Sequence, residues 1–374
     1  MKSKHYFLSD LVTIKYGKNQ KKVVSEYGNV PIYGTGGLMG YATDFLYDKP
    51  SVLIGRKGTI SKVKYVEQPF WTVDTLFYTV INTDLVIPKY LYYVMLQLDL
   101  NNYNEGTTIP SLRRETLYKL EFDIPSIDEQ KKIISCLKPF EEKIVNNNEI
   151  NNNLEQQAIA IFNNAIEQSK SVTYAELGSL ADVKGGKRLP KGANLMSIPN
   201  SHPYIRVRDL NDVVFASLSA NYEYVDDETQ KTISRYITTT DDVLISTVGT
   251  IGLTAIVDKS LNMANLTENC VKVTNLHGIS PEYLLLYLRS QHGSEEIKKG
   301  TVGAVQAKLP IKNIQALSVP LLPQSDLQSL NDTLKVLFNQ LSINVAESKC
   351  LTDIRDSLLP KLMSGELDVS NLDL

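Results

Sequence analysis

Cysteine is scarce in this sequence of 374 residues. Its three cysteines, Cys136, Cys270 and Cys350, lie far apart, and none belongs to a Cys-x-x-Cys pair. This spacing excludes a disulfide framework and a cysteine-ligated zinc site. We therefore predict reduced, buried thiols and no metal site.

Long apolar runs are also missing. No run approaches the length of about 18 residues that a membrane-spanning helix requires. The first residues, Met1 to His5, lead into no apolar signal-peptide core. We expect a cytoplasmic protein with no membrane partner.

The sequence lacks the common catalytic motifs. None of its four histidines lies in a His-Glu-x-x-His or serine-elbow context, and no Asn/Asp-Pro-Pro-Tyr/Phe methyltransferase motif is present. The glycine-rich segment 183–188 lacks the spacing of a Walker A loop, and Gly34 to Gly40 lacks the Gly-x-Gly-x-x-Gly spacing of a dinucleotide site. We predict no catalytic residues and no cofactor bound by this chain.

An excess of positive charge is missing as well, since the formal net charge is −3. Taken alone, this weighs against a nucleic-acid partner. The distribution is uneven: residues 1–124 carry +3, residues 171–321 carry 0, and residues 125–170 and 322–374 carry −2 and −4. A nucleic-acid binder of this composition needs local basic loops or basic partner subunits to neutralise phosphates.

Two stretches carry a coiled-coil pattern. From Ile133 to Ala165, apolar residues recur at alternating steps of four and three, and adding 197 to each position gives a second such series from Leu330 to Leu362. We call these two series the helix seam. An ordinary amphipathic bundle helix would also explain one series, but the duplication favours a pair of long helices. The central seam residues are Leu137, Phe140, Ile144, Asn147 and Asn151 in the first series and Leu334, Leu337, Leu341, Asn344 and Ser348 in the second.

The polar residues at the middle of each series predict how the helices pair. If the helices run antiparallel, Asn147 and Asn151 meet Asn344 and Ser348, whereas a shifted register would bury them against leucine at a cost of about 1–3 kcal/mol each. Prolines mark both starts, and the candidate N-caps are Ser126 or Asp128 for the first helix and Ser325 or Asp326 for the second.

The segments before the two helices repeat one another. Val52 to Ile54 followed by a Gly-Thr-Ile turn recurs 191 residues later, and Pro88-x-Tyr-Leu recurs 193 residues later at Pro281. We predict an α+β protein with two mixed α/β domains in tandem repeat, separated by two long helices that pair as an antiparallel coiled coil. The predicted boundaries are 1–124 (first domain), 125–170 (first helix), 171–321 (second domain) and 322–374 (second helix and tail).

Several loops combine cationic, amide and small residues, the composition that contacts phosphates and base edges. Each loop alone is also explained as a solvated loop, but they fall at comparable places in both repeats. The DNA-binding candidates are Lys18, Lys21, Lys22, Tyr33, Thr35, Arg56, Lys57, Arg113 and Arg114 in the first domain, and Lys187, Arg188, Lys191, Arg206, Arg208, Thr247, Gln306 and Lys308 in the second.

The whole chain resembles the DNA-specificity subunit of type I restriction-modification enzymes. The resemblance rests on the order and duplication of short motifs: Leu11–Gly17 and Leu180–Gly186, Val30–Gly37, Pro203–Asp209, the turns at Gly58 and Gly249, Ile124–Gln130, and Leu358–Glu366. The second half departs from the pattern after Val319, because it lacks the Glu129-Gln130 pair of the first half.

The resemblance implies two target-recognition domains that each read one half of a split, asymmetric DNA site. It also implies two adenine methyltransferase subunits on the helices and restriction subunits, the motor nucleases, recruited through them. S-adenosylmethionine, ATP and Mg²⁺ would then belong to those partners. The alternatives are a stand-alone DNA-modifying enzyme and a DNA-independent scaffold, from which salt-dependent DNA binding would distinguish the leading hypothesis.

Overall fold

The computed structural model describes residues 3–220, 222–303 and 306–369. The chain forms two compact units, residues 1–146 with 347–374 and residues 147–346. Each unit holds one mixed α/β domain together with half of each long helix. The predicted boundaries between domains and helices stay predictions, since this division cuts both helices near their middles.

The first unit contains three sheets: β2-β8-β5-β6, which is antiparallel, β4-β3-β7, in which β3 and β7 are parallel, and the pair β1-β9. A one-turn 3-10 helix spans Leu100–Tyr103. The strands are β1 (Ser3–Phe7), β2 (Val12–Tyr16), β3 (Val30–Gly34), β4 (Gly37–Ala42), β5 (Ser51–Gly55), β6 (Val63–Val66), β7 (Trp71–Thr72), β8 (Leu76–Ile81) and β9 (Glu121–Pro125), and the helices are α1 (Leu8–Leu11), α2 (Pro88–Leu96) and α3 (Arg114–Tyr118).

The second unit repeats this strand order. Its sheets are β11-β18-β15-β16-β13, β14-β12-β17 and β10-β19, so only β13 has no counterpart among the described strands of the first unit. Short 3-10 helices span Val207–Leu210, Ser234–Tyr236 and Lys259–Leu261. The first long helix, α4, spans Ile127–Gln168; the later elements are β10 (Thr173–Glu176), α5 (Leu177–Leu180), β11 (Asp182–Gly185), β12 (Pro203–Ile205), β13 (Phe215–Ala216), β14 (Glu223–Tyr224), α6 (Asp227–Ile233), β15 (Val243–Ser246), β16 (Thr254–Val257), β17 (Asn265–Leu266), β18 (Cys270–Thr274), α7 (Pro281–Arg289), α8 (Gln291–Gly300), α9 (Ile311–Gln315), β19 (Ser318–Leu321) and α10 (Gln324–Ser364).

The central strands explain why each domain has two cores. Successive side chains of a strand point to opposite faces, so in β5 Val52 and Ile54 pack in the core with α2, while Leu53 packs in a separate cluster with Phe70. The equivalent strand β15 divides its residues in the same way: Val243 and Ile245 face α7, and Leu244 faces the opposite core. The predicted duplication is therefore confirmed in the packing.

The two long helices pair antiparallel, as predicted. In the first unit, Leu137 of α4 shares a core with Leu359 and Leu362 near the end of α10. In the second unit, Ala158 of α4 shares a core with Leu334 near the start of α10. At 42 and 41 residues, the helices are each about 60 Å long.

The polar layer forms between the predicted residues. The Asn344 side-chain amide donates to Oδ1 of Asn151 at 2.9 Å, and the Asn147 amide donates to the Asn344 carbonyl at 3.5 Å. Asn147 is fully buried. Because a shifted register would separate these groups, the contacts hold the two helices in one register.

The structure corrects parts of the helix prediction. Ile161 is exposed and Phe162 is buried in its place, while Leu358 is only half-buried and Leu359 is buried. The buried position shifts by one residue because an α-helix drifts by about 20° per heptad from a 3.5-residue repeat. Phe140, Ile144 and Leu337 are half-buried. The first helix uses the predicted cap Ser126, whose hydroxyl accepts from the Glu129 amide at 3.3 Å.

Three further predictions are corrected. The second long helix begins at Gln324, so Ser325 and Asp326 lie inside its first turn and neither caps it. The first long helix begins at Ile127, so its other candidate cap, Asp128, lies inside the first turn. All three cysteines are free, but only Cys270 is buried, while Cys350 is exposed.

A side-chain amide, buried in the first unit and half-buried in the second, connects each long helix to its domain. In the first unit, Gln130 accepts from the Ile87 amide at 2.7 Å and donates to the Leu85 carbonyl at 3.0 Å. In the second unit, which lacks the Glu-Gln pair, Asn331 accepts from the Ser280 amide at 3.1 Å and donates to the Gly278 carbonyl at 2.9 Å. The second half thus replaces a glutamine with an asparagine one helical turn later.

Candidate nucleic-acid interface

The two domains differ most where the central strand of the three-stranded sheet ends. In the first domain the Val73 amide donates to the Tyr33 carbonyl at 3.0 Å, and in the second the Thr267 amide donates to the Ile205 carbonyl at 3.1 Å. Tyr33 and Ile205 therefore occupy equivalent positions. A glycine-rich hairpin follows Tyr33, whereas Arg206 and a 3-10 helix follow Ile205.

In the first domain this hairpin borders a cleft of about 410 Å³ that holds the candidates Tyr33 and Thr35. The cleft also contains Lys62 and Lys64, which the sequence analysis missed. The Lys64 ammonium lies 4.7 Å from the centre of the Tyr33 ring. Burial, and then repulsion from Lys62, lower the pKa of Lys64. In the sequence, the alternation Lys62-x-Lys64 after the predicted Arg56-Lys57 turn could have indicated these two residues.

A second cationic group surrounds Tyr16. The Arg56 and Arg114 guanidinium carbons lie 5.2 and 5.4 Å from the centre of the Tyr16 ring. Arg56 also donates to the Asp74 carbonyl at 2.8 Å. The ring contacts orient both guanidinium groups. Arg56 has no ion pair among the described residues, whereas Arg114 also contacts Glu115 at 3.4 Å.

The fold brings the Arg56-Lys57 turn and the Arg113-Arg114 segment together. Lys57 pairs through its backbone with Ser111, and the Gly58 amide donates to the Pro110 carbonyl at 2.9 Å. The loop that carries Arg113 and Arg114 is thus held beside the Arg56-Lys57 turn, although Arg113 is paired with Glu105 at 2.9 Å.

The remaining first-domain candidates lie on the loop after β2. Lys18, Lys21 and Lys22 are exposed. The Lys18 amide donates to the Thr72 carbonyl at 2.8 Å, and the Trp71 indole donates to the Lys18 carbonyl at 2.8 Å. The start of this basic loop is therefore anchored to β7, the strand that pairs with β3.

In the second domain the two central arginines share one carboxylate. Arg206 and Arg208 both pair with Glu223, the latter at 3.0 Å. Asp209 accepts from the Arg206 backbone amide at 2.7 Å, and burial raises the pKa of Asp209 despite the nearby arginines. The result is a compact network in which the guanidinium charge is partly neutralised.

The first loop of the second domain is also paired. Arg188 contacts Glu268 at 2.8 Å, and the Lys187 ammonium lies 5.5 Å from the centre of the Tyr236 ring. Lys191 lines a small cleft that also contains Asp226 and Glu228. Carboxylates therefore accompany the cations of this loop.

The structure removes Thr247 from the surface. It is buried at the position equivalent to Arg56, and its hydroxyl donates to the Asn269 carbonyl at 3.1 Å. Gln306 and Lys308 are exposed on the segment before Leu309. The backbone contacts of the two domains still match here. The Leu112 amide donates to the Arg56 carbonyl and the Leu309 amide donates to the Thr247 carbonyl, both at 2.9 Å.

Within residues 3–220, 222–303 and 306–369, no group of three or more His, Cys, Asp or Glu side chains is placed to hold a metal ion. Over the same residues, the structure has no helix with the length and apolar character to cross a membrane. The arrangement offers exposed cations, hydroxyls and open backbone, which suit phosphate and base-edge contacts.

Comparisons with known proteins agree with this arrangement. A family model described as "Type I restriction modification DNA specificity domain" matches residues 2–156 and 170–351. The MjaIX specificity subunit of Methanocaldococcus jannaschii, a type I restriction enzyme subunit, is 24% identical over 354 residues, covering 87% of this chain and 80% of that protein. The HindI specificity subunit of Haemophilus influenzae is 21% identical, covering 76% and 79%.

One solved structure shares the fold. The crystal structure of a type I restriction-modification S subunit from M. genitalium aligns with a TM-score of 0.58 and 18% sequence identity, over 96% of both chains. At this level of identity the alignment shows the architecture of tandem domains and long helices, and it does not identify contact residues.

Proposed function

This chain belongs to the family of type I restriction modification DNA specificity domains, and on that basis we propose that it reads a bipartite, asymmetric DNA site with one half-site to each domain. Its relatives are named specificity subunits, and the chain is a non-catalytic component of a restriction-modification complex. A cytoplasmic location goes with that role.

One observation supports the proposal most directly. The two domains share a strand arrangement, but different side chains follow their equivalent strands. After Tyr33 the first domain presents a glycine-rich hairpin beside two lysines, and after Ile205 the second presents Arg206 and Arg208. Arginine reads guanine edges by paired hydrogen bonds, whereas open backbone and hydroxyls suit other bases and phosphates. Equivalent positions with different donors support two half-sites of different sequence.

The helices support a role in spacing and docking. Their register is held by the contacts of Asn344 with Asn151 and Asn147. Both helices also expose apolar side chains, which suits partner subunits. These side chains are Val145, Ile150 and Ile161 on α4 and Val336, Ile343 and Ile354 on α10.

In this proposal the helices dock two methyltransferase subunits, and restriction subunits join through them. S-adenosylmethionine, ATP and Mg²⁺ then act in those partners. This chain contributes the double-stranded DNA contacts and the spacing between half-sites.

Motif mapping tests the assignment of half-sites. The chain is co-expressed with its methyltransferase, and the methylated motif is read from the host genome for each variant. We expect Arg206→Ala and Arg208→Ala to impair only one half-site, by about 1–3 kcal/mol, and Arg56→Ala and Lys57→Ala to impair the other. Lys231→Ala, an exposed cation on α6, is the control and should leave both unchanged. Equal relaxation of both half-sites by an Arg206 change would contradict the assignment.

Insertions test the role of the helices in spacing. Four residues inserted between Asn151 and Leu154 add about 6 Å and just over one turn, so the half-sites should separate by roughly two base pairs with their sequences unchanged. Two inserted residues rotate the following part of the helix by about 200°, which should abolish folding or assembly. Intact methylation with an unchanged spacer in the four-residue variant would assign the spacing to the partner subunits.

A further inference from the structure

The hairpin between β3 and β4 has an unusual tip in the first domain. Gly34 pairs with Gly37, so Thr35 and Gly36 form the turn. The register then shifts: Tyr33 pairs with Leu38 and Ile32 with Gly40, which leaves Met39 as the extra residue of a β-bulge. We call Gly36 to Gly40 the hairpin tip.

The turn of the hairpin tip is open, and the Met39 side chain lies against Gly34 of β3. No heavy atom lies within 4 Å of the place where a Cβ would be on Gly36 or Gly40. The bulge redirects two neighbouring apolar side chains at this point, Leu38 and Met39, and they are 53% and 59% exposed. Burying exposed apolar side chains lowers the free energy, so an apolar or aromatic partner would be favoured there.

The surroundings of the tip show which partner fits. The Lys64 ammonium lies 3.9 Å from the Cβ position of Gly37, and Lys62 lines the same cleft. Among the ion pairs of the described residues, none involves Lys62 or Lys64. Two like charges beside an apolar tip complement a polyanion with an apolar interior, and a stack of base pairs flanked by phosphates has that character.

Resting on the proposed function, we propose that the hairpin tip is a DNA wedge: Leu38 and Met39 insert between adjacent base pairs of the first half-site while Lys62 and Lys64 contact the flanking phosphates. Leucine and methionine are among the side chains that open base steps in this way, and the opened step is kinked. The domain then also senses how easily a step unstacks, which favours pyrimidine–purine steps at positions where no base edge is contacted.

Among the described residues of the second domain, no such hairpin follows Ile205. Ile205 is followed by Arg206 and a 3-10 helix, and the antiparallel partner strand β14 comes from residues 223–224. Distortion of the DNA should therefore be confined to one half-site. Distortion confined to one half-site would distinguish insertion of the hairpin tip from bending of the duplex by the whole complex.

The test uses the full chain in complex with its methyltransferase and a duplex carrying the mapped motif. 2-Aminopurine is placed in turn along each half-site, because its fluorescence increases when it is unstacked. Because a methyltransferase extrudes its own target base, the target adenines are left out of the comparison. At the remaining positions we expect an increase at one step of the first half-site and none in the second half-site. Leu38→Ser and Met39→Ser should each lose most of that increase, and Val24→Ser, a side chain of equal exposure in the same domain at 52%, should keep it.

The possible outcomes decide between distinct explanations. Specific binding and methylation by the wild type with no unstacking outside the target adenines would overturn the wedge and leave the proposed function standing. Weaker assembly of Leu38→Ser with the methyltransferase in the absence of DNA, with unstacking retained, would show that the tip docks on protein instead. A wild-type complex with no site-specific binding would refute the proposed function, and the wedge with it. Thermal unfolding of each variant checks that these exposed substitutions leave the fold intact.

Discussion

The two domains support their cations with different partners. In the first domain Arg56 and Lys64 lie against the rings of Tyr16 and Tyr33, and Arg114 lies against Tyr16 while also contacting Glu115. In the second domain Arg188, Arg206 and Arg208 are held by the carboxylates of Glu268 and Glu223. The net charges of the two segments, +3 and 0, follow the same division.

This difference has an electrostatic consequence. A cation on an aromatic ring keeps its charge available to a phosphate, whereas a cation paired with a carboxylate must exchange one anion for another. The first domain should therefore contribute more of the salt-dependent affinity. The second domain should contribute rigidity, because Glu223 fixes two guanidinium groups before DNA arrives.

The largest predicted effect tests whether the backbone is packed equally closely after β2 in the first domain and after β11 in the second. A Cβ on Gly17 would lie 2.0 Å from the Val73 carbonyl oxygen, and a Cβ on Gly186 would lie 2.0 Å from the Thr267 carbonyl oxygen. The clash is with backbone, so Gly17→Ala and Gly186→Ala should each destabilise their own domain by about 3 kcal/mol. Denaturant unfolding, with hydrogen exchange resolved by domain, measures both losses.

Gly36→Ala is the control for the glycine pair, because no atom lies within 4 Å of its Cβ position. It should change stability by no more than a few tenths of a kcal/mol. If Gly186→Ala were as mild as this control while Gly17→Ala was severe, the two frames would differ at this turn.

Much of this frame was predictable from the sequence, because it rests on periodicity. The strand Val52–Ile54, the helix start at Pro88 and the antiparallel seam each depend on apolar spacing or on a proline, which are local signals. The duplication then confirmed each element against its repeat. The asparagine layer was predictable for the same reason, since polar residues inside an apolar series stand out.

What could not be predicted depends on contacts between distant segments. Thr247 resembles a surface hydroxyl in the sequence, yet it is buried and its hydroxyl donates to the carbonyl of Asn269. The pairing of Arg206 with Glu223 joins residues on separate strands, and no spacing rule indicates it. Lys62 and Lys64 belong to the cleft only because β6 lies beside the hairpin in the folded domain.

The amide contacts give the second prediction, an intermediate effect. Gln130 is fully buried, so Gln130→Leu leaves the Ile87 amide and two carbonyls without partners and should cost about 1–3 kcal/mol. Asn331 is half-buried, and Asn331→Leu should cost less. Hydrogen exchange should accelerate at Ile87 in the first variant and at Ser280 in the second.

Asn339→Leu, an exposed position on the same helix as Asn331, is the matched control. It should leave both amides protected. If Asn331→Leu left the Ser280 amide as protected as this control does, Asn331 would not be the counterpart of Gln130, and the second helix would be fastened by packing alone.

The smallest predicted effect separates the two ways of supporting a cation. Glu223→Gln keeps the shape of the side chain but releases Arg206 and Arg208 from a negative partner, so the affinity for non-specific duplex should increase by about 1 kcal/mol or less. The salt dependence should steepen by about one counterion for each phosphate gained, and discrimination at the second half-site should fall. Affinities for specific and non-specific duplex over a series of salt concentrations measure all three changes. Glu176→Gln removes an exposed carboxylate of the same domain and controls for net charge. Glu105→Gln, which removes the ion pair of Arg113 alone, should have a smaller effect than Glu223→Gln. Equal effects of Glu223→Gln and Glu176→Gln would mean that the carboxylate does not restrain the arginines, and the contrast between the two domains would then reduce to net charge.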